Sequence, residues 1–313
     1  MRYIMDEACF DFNGCTNDEY ISALESVLDR MDDAILAGYD CFYSDDFFYR
    51  PVYSGFTIWE LFTSQAPISI SPEVRTRLAV VFAKLSTVQE VDVEGLVVHA
   101  VRFGKNGGGC SYSIAWAYSI ILAGIDNVVA CITSSLSVGD DFLDITNGDV
   151  ACGIWFVASQ RGDEELFRWV ICEFTSSPAE MADYASSAFR ELDFVDGAFN
   201  GIKGMSKPYA NLVAPIVKHL SALSDEGRRI FSGPRGDVEA SFGPYGVDLS
   251  DENGNTKRNS KAKTDRTVFW QKQNRVFWWH TKLERYKDRI HFCPSDLLNG
   301  GNILVGIFCY HLI

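Results

Sequence analysis

The chain has 313 residues, of which 47% are hydrophobic, and it carries a formal net charge of −14 at pH 7. This length can bury a large core, either as two domains or as one elaborated domain. The bulk acidity excludes a protein that binds nucleic acid over its whole surface, because phosphate would be repelled from most of that surface.

The charge is distributed unevenly along the chain. Residues 255–313 contain 11 basic and 4 acidic side chains, a net charge of +7. Residues 1–254 contain 17 basic and 38 acidic side chains, a net charge of −21. A basic terminal segment on an acidic protein predicts an anionic partner for that segment, and RNA is the partner that we expect.

The cysteines and the N-terminal sequence predict a cytoplasmic protein. Nine cysteines are scattered without a C-x-x-C pair, so neither a disulfide framework nor a zinc site has its usual spacing. The start, MRYIMDEACFDF, is too acidic for a signal peptide, and the apolar run SIAWAYSIILAGI is too short for a membrane span. We expect no membrane association, no metal ion and no other cofactor.

Hydrophobic spacing and capping residues predict two helices near the N-terminus. Apolar residues recur at helical spacing over 17–37, with Asn17 or Asp18 as the cap. The second helix is predicted to begin after Ser71, with Pro72 in its first turn.

The middle of the chain alternates between strand and helix signals. Short apolar runs bounded by Gly, Asp and Asn predict strands in GLVVHAVRF, VVACITS, ACGIWFVAS and FRWVICEFT. Helices are predicted over 111–123, over 176–189 and over 207–231, the last interrupted near Pro215. This alternation favours an α/β arrangement.

Composition divides the chain into three predicted parts. Residues 233–265 are rich in Gly, Asn, Ser and Lys, which is typical of a polar linker or a functional loop. Before them lies 1–232, a larger acidic α/β region with a regulatory or sensor role. After them lies 266–313, a small, basic, antiparallel β-rich unit. The predicted fold class is therefore α/β or α+β.

A glycine-rich segment, GKNGGGCS at 104–111, has two functional interpretations beside that of a plain turn. Glycines before a helix can cradle a phosphate, but Lys105 comes too early for a Walker motif. Alternatively, Cys110 at the helix N-terminus is a candidate nucleophile of a hydrolase. The plain glycine turn is the interpretation that we favour.

The C-terminal segment carries the main functional signal. RVFWWHTKL, RIHF and NILVGIFCYHL predict three strands separated by turns. Because alternate residues of a strand share a face, Arg289 lies with His291, and His280 lies with Lys282. If the three strands are antiparallel neighbours, these side chains and His311 converge on one basic face.

Such a face has the groups that RNA cleavage without a metal ion requires. His311 and His291 are the candidates for acid and base, since an imidazole can do both near neutral pH. Arg289, Lys282 and His280 are the candidates for contacting the phosphate. Additional cations are predicted to bind the RNA backbone. These are Lys257, Arg258, Lys261, Lys263, Arg275 and Arg285.

Residues 269–313 resemble the terminal sheet of the RelE/YoeB-type toxins of bacterial toxin–antitoxin systems. In that family an aromatic strand precedes a strand of the form R-[IL]-x-[FY], which Arg289 matches, and a histidine lies near the end of the last strand. Tyr310 and His311 match that end, whereas Leu312 replaces the aromatic residue that often follows. The resemblance implies a ribonuclease that cuts RNA associated with the ribosome.

Two functions from different classes are therefore expected. The first is an intracellular, metal-independent endoribonuclease effector of toxin or phage-defence type. Its acidic N-terminal region would regulate the basic active site, either by binding a protein partner or trigger or by masking the site. The alternative is a non-catalytic RNA- or protein-binding regulatory or sensor subunit of a defence or toxin–antitoxin system.

Overall fold

The computed structural model describes residues 1–63, 65–90, 95–233 and 237–311, and for 298 and 299 the backbone alone. The chain divides into two units, Met1–Leu166 (unit 1) and Phe167–Ile313 (unit 2). Both units mix helices with strands, which confirms the predicted α/β or α+β class.

Unit 1 is built on a seven-stranded sheet. Its strand order is β5-β2-β1-β7-β9-β8-β6; the first five strands are parallel to one another, and the pairs β9–β8 and β8–β6 are antiparallel. A separate two-stranded ribbon pairs β3 with β4. The strands are β1 Arg2–Met5, β2 Asp40–Tyr43, β3 Pro51–Tyr53, β4 Phe56–Thr57, β5 Ser86–Thr87, β6 Arg102–Phe103, β7 Val129–Ile132, β8 Asp141–Asn147 and β9 Val150–Val157.

The helices of unit 1 begin close to the predicted caps. These helices are α1 Asn17–Leu36, α2 Pro72–Phe82 and α3 Tyr112–Leu122, followed by α4 Gln160–Phe174, which crosses into unit 2. Thr16 caps α1 in a capping box with Glu19, one residue before the predicted cap. Ser71 caps α2, as predicted, and Pro72 occupies its first turn.

Unit 2 is built on a five-stranded sheet in the order β10-β16-β15-β14-β11, in which only β10 and β16 are parallel. Beside it stands the hairpin β12–β13. The strands are β10 Leu192–Phe194, β11 Asp248–Asp251, β12 Thr267–Trp270, β13 Gln273–Val276, β14 Trp279–Lys282, β15 Arg289–Cys293 and β16 Ile303–Cys309. The helices are α5 Pro178–Ala188, α6 Tyr209–Ser232, α7 Val238–Phe242, α8 Gly254–Arg258 and α9 Ser260–Asp265.

One face of the unit 2 sheet is covered by α6. Phe231 of α6 makes edge contacts with Trp279 of β14 and with Phe292 of β15, at ring separations of 5.2 and 5.8 Å. Trp279 and Phe292 are register partners, so their side chains share this face. The residues that alternate with them, including both predicted histidines, therefore lie on the opposite face.

The segment 233–265, predicted as a linker or functional loop, lies inside unit 2. Its described residues include α7, α8, α9 and the edge strand β11. The predicted boundaries at 232 and 266 therefore differ from the division by contacts after Leu166.

Three predicted elements differ from the structure. The run FRWVICEFT, predicted as a strand, belongs to α4, because Phe167, Val170 and Ile171 are buried at helical spacing. In the predicted strand GLVVHAVRF only the last two residues form a strand, and Val97 is exposed. The helix α6 runs through Pro215 without interruption. Each large side chain that α6 buries contributes about 1.5–3 kcal/mol, and several together outweigh the ~3 kcal/mol cost of an internal proline.

Candidate nucleic-acid interface

The three C-terminal strands are antiparallel neighbours, as the sequence predicted. The register pairs His280 with His291 and Lys282 with Arg289 across β14 and β15. All four side chains therefore share one face of the sheet.

This face is covered instead of open to a ligand. His280 is 2% exposed, His291 is 0% exposed and Arg289 is 9% exposed. Phe277, which follows the hairpin β12–β13, packs with Cys293 and with partly buried residues of the hairpin over this side of the sheet. His280 and His291 therefore contact other parts of unit 2 and have almost no surface to offer an RNA phosphate.

Arg289 fixes the tautomer of His280. The Nη1 atom of Arg289 lies 2.7 Å from Nε2 of His280. A guanidinium only donates hydrogen bonds, so Nε2 accepts and the ring proton lies on Nδ1. That Nδ1 is 3.7 Å from Oε1 of Glu252. Burial first, and the charge of Arg289 second, lowers the pKa of His280 to about 3.

His291 is likewise held neutral. Its Nδ1 lies 3.3 Å from the carbonyl oxygen of Phe277, and this contact places the ring proton on Nδ1. Burial lowers the pKa of His291 well below its ordinary value, and His280 and Arg266 act in the same direction. A buried imidazole that stays neutral and donates to the backbone is a structural group, and it is badly placed to exchange protons with a substrate.

Glu252, His280 and His291 form the one group of potential metal ligands found among the described residues. Their ligand atoms lie within 4.8 Å of one another. However, Oε1 of Glu252 accepts from Arg266, at 3.0 Å from Nε and 2.9 Å from Nη2. A divalent cation here would face the guanidinium groups of Arg266 and Arg289, and the donor set therefore fits a guanidinium–carboxylate–imidazole network better than a metal centre.

Most cations of the basic segment already have partners within the fold. Lys282 donates to Asp248 at 2.9 Å, and this carboxylate neutralises its charge. Lys282 also donates to Ser250 at 2.7 Å. The other partnered cations of the predicted RNA-binding set are Lys257 with Asp251 at 2.5 Å, Arg258 with Asn255 at 2.6 Å, Arg275 with Asp296 at 2.7 Å and Arg285 over the ring of Tyr286 at 5.1 Å.

Three exposed residues of the predicted set form no ion pair or side-chain hydrogen bond with the residues that the structure describes. Lys261 and Lys263 lie on α9, and His311 follows Tyr310 at the end of the described chain. Partial burial and the charge of Arg289 lower the pKa of His311. Of the three C-terminal histidines, His311 is the one that a solvent ligand can reach.

Unit 2 contains an aromatic cavity that no sequence pattern predicts. It has a volume of about 340 Å³, and Phe231, Trp278 and Trp279 form its aromatic walls. Its polar groups include Asp251 and Lys257. The Oδ2 atom of Asp251 holds Lys257, whereas its Oδ1 atom is buried and has no hydrogen-bond partner among the described residues. The polar edge of the cavity is therefore formed by the ion pair of Asp251 and Lys257.

The sequence assigns Trp278 and Trp279 to a strand, and because adjacent strand residues point to opposite sides, that assignment gives no indication that both line one cavity. Phe231 and Asp251 reach the same place from α6 and β11, and no local pattern predicts that they meet.

Cys110 in unit 1 lacks the properties of a nucleophile. Burial first, and the nearby carboxyl group of Asp6 second, raises the pKa of Cys110 to about 12. The thiol therefore stays protonated at neutral pH, which argues against a hydrolase that uses Cys110. The adjoining N-terminus of α3 already holds a carboxylate, since the amide of Tyr112 donates to Glu7 at 2.7 Å.

Comparisons with protein-family models, with curated proteins and with solved structures give no match to this chain. The resemblance of residues 269–313 to the RelE/YoeB-type toxins therefore stays a prediction. Among the described residues, no helix is long and apolar enough to cross a membrane.

Proposed function

We propose that unit 2 binds single-stranded RNA and that the protein is a non-catalytic regulatory or sensor subunit. The observation that carries this proposal is the aromatic cavity, which adjoins the cationic helix α8 through Lys257. Aromatic platforms beside basic side chains are the usual means of binding single-stranded nucleic acid.

The cavity suits one nucleobase. A base stacked on an aromatic side chain gains about 1–3 kcal/mol, whatever its identity. Stacking does not distinguish strongly among the four bases, so the cavity is expected to bind unstructured RNA with little sequence preference.

The phosphates of the same strand have cations to follow. Lys261 and Lys263 are exposed on α9, which comes directly after α8 in the chain. Residues 248–313, which include the carboxylates that pair with Lys257, Arg266 and Lys282, hold 11 basic and 7 acidic side chains, a net charge of +4, so the local potential attracts a polyanion even though the whole chain is acidic. Each cation that neutralises a phosphate adds affinity that falls with salt concentration.

Binding is favoured over cleavage by the state of the histidines. Metal-independent cleavage needs an acid and a base within reach of the ribose and phosphate oxygens. His280 and His291 are buried and neutral, which leaves His311 as the exposed candidate among the C-terminal histidines. An intracellular location is part of the proposal, because all nine cysteines are free.

The test is fluorescence anisotropy of a labelled, unstructured RNA with the full chain. We expect Trp278→Ala to weaken binding about tenfold or more and Trp278→Phe to restore most of it, because phenylalanine can still stack. We expect Lys261→Ala with Lys263→Ala to weaken binding and to reduce its salt dependence. Lys203→Ala is the matched control, since Lys203 is exposed on the 3-10 helix Ala198–Gly204, which packs near β16 at the far side of the sheet from β11.

Two results would count against the proposal. The first is an affinity that Trp278→Ala and Lys203→Ala change equally. The second is cleavage of the RNA by the wild type but not by His311→Ala, with matched thermal stability, which would restore the endoribonuclease hypothesis. RNA integrity is therefore followed on a gel in the same samples.

A further inference from the structure

Unit 1 has a cavity of its own, with a volume of about 430 Å³, at the β6 end of its sheet. The residues around it come from β6, from the glycine-rich turn and from the β8–β9 hairpin turn. They include Val101, Arg102, Lys105, Gly109, Thr146 and Gly148.

The charge of this cavity is opposite to the charge of the unit. Residues 1–166 contain 9 basic and 25 acidic side chains, a net charge of −16. Two of the nine cations, Arg102 and Lys105, line the cavity, and no carboxylate is among its lining residues in the described part of unit 1. An electropositive cavity in so acidic a unit favours an anionic ligand over a cation or an apolar molecule.

The side chains of these two cations are available to a ligand. Arg30 and Arg77 of unit 1, in contrast, are held by carboxylates at 2.9 and 2.7 Å. For Arg102 and Lys105, no ion pair is found among the residues that the structure describes, and both side chains are exposed. Their charges are therefore free to bind a ligand in solution.

The backbone around the cavity is held in place before any ligand arrives. Thr146 donates its hydroxyl to the carbonyl of Gly104 at 2.8 Å, and the amide of Gly104 donates to Asp144 at 2.9 Å. At the other end of the turn, the amide of Cys110 donates to Val101 at 3.0 Å. A loop fixed at both ends loses little conformational entropy when it binds a ligand.

The wall of the cavity lets a ligand approach the main chain. Gly148 adopts a φ of +61°, which a glycine tolerates in the hairpin turn between β8 and β9. Without side chains at Gly109 and Gly148, an anion can come close to backbone amides. This site is separate from the N-terminus of α3, where Glu7 already accepts hydrogen bonds from the first turn.

We propose that this cavity binds a small phosphate-bearing molecule, with its phosphate on Arg102 and Lys105. Arg102 supplies a planar pair of donors, which match two phosphate oxygens, and Lys105 supplies a second charge. The volume exceeds what a phosphate alone would fill, and the remaining space takes the organic part of a phosphate monoester. The proposal is independent of RNA binding by unit 2.

The experiment is isothermal titration calorimetry of the full chain at low salt, with AMP, inorganic phosphate and adenosine as probes. AMP is expected to bind, phosphate to bind more weakly and adenosine not to bind. Arg102→Ala and Lys105→Ala are each expected to lower the affinity for AMP at least about tenfold, the smallest loss typical of a hydrogen bond to a charged group. Lys84→Ala removes an equal charge from an exposed position outside the cavity and is expected to leave the affinity within about twofold.

Asp149 provides a variant with the opposite expected effect. It follows Gly148 in the same turn but does not line the cavity, so Asp149→Asn removes a nearby repulsive charge and is expected to strengthen AMP binding. Absence of AMP binding at millimolar concentration would overturn the proposal. An equal loss in Lys84→Ala and Arg102→Ala would also overturn it, as would binding of a 5′-phosphorylated RNA through Arg102 without binding of AMP.

Discussion

At the scale of residues, a buried ion pair joins Arg266 to Glu252, whose Oε1 atom also lies 3.7 Å from Nδ1 of His280 on the covered face. Arg266 is 1% exposed, and it also donates to the carbonyl of Ala262 at 3.2 Å. A buried charge whose partner is removed is left without compensation. Because Arg266 directly follows α9 and Glu252 directly follows β11, the ion pair also connects these two elements.

Glu252→Gln is expected to lower the free energy of unfolding of unit 2 by about 3 kcal/mol, because the buried guanidinium of Arg266 then loses the carboxylate that it binds through Nε and Nη2. Urea unfolding, monitored through the hydrogen exchange of the β14 and β15 amides, measures this change. Glu226→Gln, which removes an exposed helix pair with Arg229, is expected to cost about 0–1 kcal/mol. Equal costs for the two variants would contradict the assignment.

The buried histidines predict that unit 2 loses stability in acid. The folded pKa of His280, about 3, is below its unfolded value, so its contribution is complete above pH 6.5 and is lost as the pH falls toward 3. Each such histidine changes the free energy of unfolding by up to about 1.4 kcal/mol per pH unit. His291 and His219 act in the same direction, the latter with a pKa of about 4.

We therefore expect His280→Gln to flatten the pH dependence of unit 2 between pH 6.5 and 4, measured by hydrogen exchange in β14 and β15. The contribution of Asp6 to the stability of unit 1 has the opposite pH dependence. Burial raises its pKa to about 6, so its contribution is present at low pH and is lost as the pH rises through 6. A His280→Gln protein whose unit 2 keeps the full acid sensitivity of the wild type would contradict the role of His280.

At the scale of elements, the hairpin β12–β13 and Phe277 cover the face that the sequence predicted to be an open site. Gly306 of β16 makes this close approach possible, since a Cβ atom there would lie 2.4 Å from two ring atoms of Phe277. The carbonyl of Phe277 in turn lies 3.3 Å from Nδ1 of His291. The glycine, the aromatic ring and the histidine thus form one packing unit.

Gly306→Ala is expected to destabilise unit 2 by about 1–3 kcal/mol, because the added methyl group overpacks a filled contact. Phe277→Leu in the same chain is expected to recover part of this loss. Gly204→Ala is the control, since no atom lies within 4 Å of a Cβ atom built there. Thermal unfolding compares the variants, and an unchanged Gly306→Ala protein would refute the contact.

The elements that the sequence predicted correctly are those set by local signals. Ser71 and Pro72 mark the start of α2, and the alternation of residues along β14 and β15 places His280 beside His291. The cover on that face depends on Arg266 and Phe277, whose contacts with β14 and β15 are set by tertiary packing. The predicted strand at 167–175 failed for a related reason, since aromatic and β-branched residues also suit a helix buried by packing.

At the scale of the whole molecule, the two units differ in net charge. Unit 1 has a net charge of −16 and unit 2, with 19 basic and 17 acidic side chains, has +2. The positive charge of unit 2 is concentrated after residue 254. An RNA strand is therefore expected to associate with a limited part of the chain, and its affinity is expected to fall as salt screens that part.

The most direct test of RNA binding is ultraviolet cross-linking of a bound, unstructured RNA, with the adducts located by mass spectrometry of the full chain. Adducts are expected at Phe231, Trp278 or Trp279, the aromatic walls of the unit 2 cavity. Trp278→Ala is expected to reduce the yield of adducts, whereas Lys203→Ala is not. Adducts confined to other parts of the chain, in a complex that forms with wild-type affinity, would contradict RNA binding at this cavity.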